Sequence, residues 1–274
     1  MRNLQHLCCR LFRDGLNDPE VNIGLQETDR LQRFVARLIA KSPAGVNLLL
    51  IGGFRYRLLD NSQPFSVDID YHWGGDLEAK QRELLSLCRR TILGQARREL
   101  GYEGSAAART GPDADSPNAR FMDLRFWKRN LQVEVPLEIT QVVCLDPPII
   151  RTAAGTVHPT LSDADLIESK ILAVLNRVFL QHRDLVDVFL YGDKLAPDAP
   201  GRLKEKLARL QLHPQAVRAR LGDLDGNGEY HGKAIQKVID EQVEAVAAQQ
   251  LNAGGGGKAV LDAVLNLLTR ALPQ

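Results

Sequence analysis

The chain has 274 residues, 44% of them hydrophobic and 25% charged, with a net charge of +1. That length supplies one large domain or two modest ones, and the composition is that of an ordinary globular protein. The charge balance excludes binding of nucleic acid through an overall basic surface and leaves only local patches for it, while the apolar runs fall far short of the roughly 20 residues that span a bilayer.

Along residues 1–13 charges interrupt the apolar positions, so the run reads as a short amphipathic helix rather than a signal peptide. The four cysteines, Cys8, Cys9, Cys88 and Cys144, include no C-x-x-C pair. They read as reduced thiols of a cytoplasmic protein without a zinc site. Leu31, Phe34, Val35, Leu38 and Ile39 fall on one stripe and predict a helix over 29–41, capped by Thr28 or Asp29. A Pro43-Ala44-Gly45 turn leads to an apolar strand over 46–51 that ends in Gly52-Gly53. Two glycines there let the backbone approach a ligand closely, and a helix starting just after them favours an anion.

The next segment, Ser66-Val67-Asp68-Ile69-Asp70-Tyr71-His72-Trp73, alternates strictly. As a strand over 66–73 it places Asp68 and Asp70 on one face with Ser66 and His72. Two carboxylates so close repel unless a cation lies between them, and oxygen donors of this kind suit Mg²⁺ completed by substrate phosphates. A solvated acidic edge strand is the plainer alternative. Residues 77–100 predict a helix with Leu84, Leu85, Cys88, Ile92 and Leu93 inside. Residues 104–119, rich in Gly, Ala, Ser, Asp and Pro, read as a loop. Strands follow at 121–127 and 131–143, the second interrupted by Pro136, which argues for an edge or a bulge. Glu134 and Glu138 share a face of that strand, and either can serve as a third carboxylate or accept a proton from an attacking hydroxyl.

From about residue 160 the pattern is helical. Ser162 and Asp165 suggest a capping box for a helix over 163–181. Lys170 lies on its apolar stripe, with Arg177 two turns on. A lysine so placed either snorkels outward or faces negative charge in a cleft. Asp184 and Asp187 follow in Arg183-Asp184-Leu185-Val186-Asp187. Asp223–Gly228 resembles the start of a calcium loop, but Ala234 stands where the bidentate glutamate belongs, so it reads as a turn. Gly254–Gly257 reads as a linker before a last helix. Strands in the first half and helices in the second predict an α+β core followed by a helical domain, with residues 1–150 as the core and 151–274 as the helical part. Basic clusters at Arg89, Arg90, Arg97 and Arg98, and at Arg125, Lys128 and Arg129, are candidate phosphate contacts or plain solvated faces.

Taken together, Ile51-Gly52-Gly53 with Arg55 and Arg57, the Ser66-to-Asp70 segment, Glu168-Ser169-Lys170 with Ala173 and Arg177, and Arg183 to Asp187 resemble the AbiEii/AbiGii-type nucleotidyltransferase toxins of the polymerase-β-like superfamily. The resemblance covers roughly residues 25 to 195. It implies a mixed sheet with flanking helices and a C-terminal helical domain that supplies Lys170 and Asp184 or Asp187 to the cleft. It implies transfer of a nucleoside monophosphate from an NTP to an acceptor, most readily an RNA such as tRNA, with release of pyrophosphate. Asp68 and Asp70 would hold Mg²⁺ (or Mn²⁺), and Gly52, Gly53, Ser66, Arg57, Lys170 and Arg177 would contact the nucleotide. Family members are typically toxins with a separately encoded antitoxin. The alternatives are a catalytically silent protein of the same fold that binds a nucleotide or a partner, and a metal-dependent hydrolase, which the lack of a His-Asp metal cluster disfavours.

Overall fold

The computed structural model describes residues 19–62, 64–110 and 116–273; the N-terminal run over 1–13 lies outside them. The chain divides into two compact units. One holds the residues up to Val142 together with Pro148–Leu161, and the other holds Val143–Pro147 together with the chain from Ser162 onward. Residue 150, the boundary expected from the sequence, lies inside the strand Ile149–Ala153.

In the first unit, described strands form one seven-stranded mixed sheet in the order β3-β4-β5-β2-β1-β7-β6. The strands are β1 (Leu49–Ile51), β2 (Ile69–His72), β3 (Glu103–Ala108), β4 (Ala119–Lys128), β5 (Leu131–Thr140), β6 (Ile149–Ala153) and β7 (Thr156–Thr160). Helix α1 (Pro19–Ala40) and helix α3 (Leu77–Leu87) supply Leu31, Val35, Ile39, Leu84 and Leu85 to a core shared with Ile69, Met122, Leu124, Val135 and Leu137 of the sheet. Each such side chain contributes roughly 1.5–3 kcal/mol by leaving water. Between β1 and β2 lies the short helix α2 (Gly52–Leu59).

The helix expected at 77–100 forms, but it contains two π-helical stretches, Cys88–Ile92 and Ala96–Leu100. Its buried positions Lys80, Leu84, Cys88, Ile92 and Ala96 recur every fourth residue. On a helix of 3.6 residues per turn that repeat drifts about 40° per step, and the wider π turns hold it against the core.

Some local expectations for this unit need correction. Helix α1 begins well before Thr28 and Asp29, which therefore do not cap it; Asp29 pairs with Arg33 and Arg57 instead. The strand expected at 66–73 is confined to Ile69–His72, so Asp68 sits just before it. Part of the segment read as a loop is β3, paired along its length with β4, because its small residues tolerate the sheet edge. Pro136 marks no break: β5 runs through it paired with β4, at a point where its other side is a local edge. Pairing with β2 begins only at Leu137, so at Pro136 that side of the strand has no ladder partner that a proline would deprive of an N–H. Sequence reading missed the β6–β7 hairpin altogether. Ala154 and Gly155 turn it with φ of 45° and 71°, the both-positive pattern of a tight hairpin.

The second unit is helical: α4 (Asp163–Asn176), α5 (His182–Tyr191), α6 (Ala199–Arg209), α7 (Pro214–Gly226), α8 (Gly228–Gln242), α9 (Ala245–Ala253) and α10 (Gly256–Ala271). The expected helix over 163–181 stops at Asn176. Ser162 caps it by accepting from the Asp165 N–H at 3.0 Å. The Asp165 carboxylate does not complete the box. It accepts from the Leu145 and Asp146 N–H groups and joins Arg202, Lys206 and Glu168 in a buried charge network. Asp223 lies within α7, which runs through to Gly226 rather than turning there. Gly256 and Gly257 are buried at the start of α10, where a Cβ on Gly257 would stand 2.2 Å from the Gly232 carbonyl oxygen of α8. The glycine run is thus a close helix contact and not a linker.

Candidate active site

The side of the sheet opposite the core carries carboxylates in a row. Ile51 of β1 lies opposite Asp70 of β2, Asp70 lies beside Glu138 of parallel β5, and Glu138 lies opposite Phe121 of β4. Side chains in register on neighbouring strands point the same way, with strands about 4.8 Å apart, so Asp70 and Glu138 are immediate neighbours. Along β5 the alternate positions 133, 135, 137 and 139 enter the core, which turns Glu134, Pro136 and Glu138 outward. Glu134 is four residues from Glu138, or about 13 Å along the strand, and it binds Arg125 of β4 at 3.1 Å. The structure therefore separates two glutamates that alternation left equivalent.

Gly52 is fitted against this row. It enters α2 with φ +73°, and a Cβ there would lie 1.8 Å from Asp70 Oδ2. Only glycine allows the backbone so near the carboxylate and in that conformation. Gly53 is buried behind it. Asp68 precedes the strand, and its carbonyl accepts from the Ser66 hydroxyl at 2.9 Å. Ser66 is thus engaged in shaping the approach to Asp68 and is itself buried. Arg57 is held within the fold: it pairs with Asp29 at 3.2 Å, donates to the Ser62 carbonyl and stacks on Phe65. His72 accepts the Val142 N–H at Nδ1. Burial pulls its pKa below the usual histidine value, with a hydrogen bond from the ring to the Thr140 backbone opposing.

Sequence reasoning missed one pair beside the carboxylates. Arg109, just after β3, donates from Nε to both oxygens of Asp123 on β4 at 3.2 Å. Hydrogen bonding to Asp123 raises its pKa against the opposing effect of burial, and the fields of Asp123, Glu134 and Asp68 add to the rise. No motif marks Arg109, which stands in the segment that composition assigned to a loop.

The other predicted residues gather within the second unit. Lys170 Nζ of α4 is 3.0 Å from Asp184 and 2.8 Å from Asp187, both on α5, and Arg177 reaches Asp184 at 2.9 Å. Burial by itself would lower the Lys170 pKa; Asp187 and Asp184 outweigh it and hold the ammonium well above the usual lysine range. Of the basic clusters, Arg97 pairs with Glu103, Arg125 with Glu134, and Lys128 and Arg89 donate to carbonyls.

The Asp70–Glu138 pair, with Asp68 two residues before, is an all-oxygen donor set. Among the described residues no three His, Cys, Asp or Glu side chains gather as a metal cage. The set fits an ion such as Mg²⁺ or Mn²⁺ that takes one or two carboxylates and completes its shell with water and substrate phosphate.

No protein-family model and no curated protein sequence matches the chain. Solved structures do. The nucleotidyltransferase toxin MenT4 from Mycobacterium tuberculosis superposes with a TM-score of 0.57 at 16% identity, over 95% of this chain and 89% of its own. A candidate nucleotidyltransferase from H. pylori gives 0.54 at 15% identity, over 90% and 93%. No described helix is long and apolar enough to cross a membrane. At these identities the likeness concerns the fold: a mixed seven-stranded sheet with flanking helices and a C-terminal helical region, the α+β architecture of the nucleotidyltransferases.

Proposed function

We propose that this chain is a metal-dependent nucleotidyltransferase of the AbiEii/AbiGii toxin type, moving a nucleoside monophosphate from an NTP to an RNA acceptor such as tRNA and opposed in the cell by a separate antitoxin. The observation that carries the reading is the in-register pair Asp70 and Glu138 with Gly52 pressed against Asp70. That arrangement suits phosphoryl chemistry better than a solvated edge, because β2 and β5 are interior strands of the sheet. The MenT4 likeness supports the toxin assignment by fold.

In this reading the acceptor hydroxyl oxygen bonds to the α-phosphorus, the bond from that phosphorus to the β-phosphate oxygen breaks, and pyrophosphate leaves. A divalent ion, when bound, neutralises phosphate oxygens. Asp68 and Asp70 would hold it. Glu138 completes the acidic face and accepts the proton of the attacking hydroxyl at its carboxylate. Gly52 and Gly53 offer backbone N–H groups at the start of α2 to the triphosphate. Lys170 binds phosphate, kept charged and aligned by Asp184 and Asp187. Incubation with Mg²⁺, each α-labelled NTP and total bacterial RNA tests the reading. Label enters RNA from the preferred NTP and is lost in Asp70→Asn; absence of label in RNA with every NTP counts against it.

A further inference from the structure

We infer that the helical unit carries a subsite for an unpaired nucleotide of an RNA strand, in the cavity between the end of α4 and helix α7. The inference rests on the transferase reading with an RNA acceptor.

The cavity has a volume of about 480 Å³, within the range of small-ligand sites. Leu175, Val178 and Leu212 line it with Ala216 and Ala219 of α7. Ala216, Ala219, Arg220 and Asp223 recur at the spacing of one helix face, and two alanines at its centre keep the space open. These apolar walls match the flat faces of a base. Asn176, also in the lining, offers a donor and an acceptor to a base edge, while the Asp223 carboxylate is engaged by Asn227 Nδ2 at 2.8 Å and His231 Nε2 at 3.3 Å.

The charge suits the phosphate of such a nucleotide. Arg177 and Arg220 both line the cavity, and Arg220 donates from Nη2 to the Arg177 carbonyl, tying the two walls together. Arg177 gives Nη1 to Asp184 while its side chain remains 49% exposed. A guanidinium carries five N–H donors, so donors remain for phosphate oxygens.

The rim points to a polymer rather than a free nucleotide. Val178 and Phe179 stand 84% and 78% exposed on the segment after α4. Large apolar side chains held in water beside a basic cavity are the platform on which successive bases of a single strand stack. Tyr230, 65% exposed, adds a second aromatic on the same unit, edge-on to His182 at 5.9 Å.

The test uses the full chain with Phe179→Ala, which removes the platform, and Ala219→Trp, which fills the cavity from an exposed helix position. Binding of a fluorescent, unstructured oligouridylate is compared with that of a blunt RNA duplex, and NTP affinity is measured by calorimetry. Stacking of one base is worth roughly 5- to 150-fold in affinity. Both variants should lose that much oligouridylate binding, melt like wild type, and keep duplex and NTP affinity. Unchanged oligouridylate binding overturns the subsite. So does a loss confined to NTP affinity, which would make the cavity a nucleotide pocket instead. Asp70→Asn, run in parallel, should bind oligouridylate as wild type does, so failure of catalysis and failure of the subsite are read separately.

Discussion

Replacing Gly52 by alanine probes the carboxylate row without removing a single polar atom. The added Cβ would stand 1.8 Å from Asp70 Oδ2 and 2.7 Å from its Cγ. Ordinary contact begins near 3.4 Å, so the carboxylate must withdraw by about 1.6 Å, and a misplacement of about 1 Å at a reacting centre costs on the order of 10²-fold in rate. The left-handed φ of +73° adds about 1–2 kcal/mol of strain for a residue with a Cβ. That lowers the melting temperature by a few degrees and leaves the unit folded. Label transfer from NTP to RNA should therefore fall at least about 100-fold in a protein that still melts cooperatively. Gly74→Ala, where an added Cβ meets nothing within 4 Å, should transfer as wild type. If Gly52→Ala transfers within about threefold of wild type, Asp70 is not positioned for the chemistry and the reasoning fails.

Glu138→Gln should reduce transfer at least about 100-fold, whereas Glu134→Gln, which removes only the partly exposed partner of Arg125, should stay within a few-fold; the reverse order in the labelling assay would reassign the third carboxylate. Lys206→Ala leaves Asp165 and Glu168 buried beside Arg202 without the ammonium that lies 2.6 and 2.7 Å from them, a loss of about 3–5 kcal/mol that chemical denaturation would register in the helical unit. Gly257→Ala drives a methyl into the Gly232 carbonyl and the Gln236 backbone of α8, costing about 1–3 kcal/mol, and an unchanged melting curve would mean the helices move apart freely. Burial lowers the pKa of His72, of His158 and, with help from His231, of His182. The unfolded chain therefore binds protons at a pH where these rings do not, so their contribution is intact above the ordinary value of 6.5 and is lost as pH falls below it toward the depressed values. Melting temperatures measured from pH 7.5 down to 5.5 should fall, and a flat profile would contradict these assignments.

The helices and central strands were legible because their buried positions repeat with a clear period, as in Leu31, Val35 and Ile39 or in Val133, Val135 and Leu137. Those signals lie within a single element. What the sequence hid depends on pairing between elements. Glu134 and Glu138 are equivalent by alternation, and only the register of β5 against β2 sets Glu138 beside Asp70. Arg109 carries no motif and acquires its place through the β3–β4 pairing. The β6–β7 hairpin turns on Ala-Gly rather than Asn-Gly, a weaker turn signal, and its strands alternate poorly. Ser66 and Arg57 fit a motif by spacing, yet the structure engages both in packing around the loop before β2.

The most direct test of the central claim is label transfer with Asp70→Asn and Glu138→Gln beside wild type, using Mg²⁺, the four α-labelled NTPs in turn and total RNA. Wild type should label RNA from one preferred NTP with release of pyrophosphate, and both variants should fall at least about 100-fold while melting like wild type. Transfer that persists in either folded variant would contradict the account.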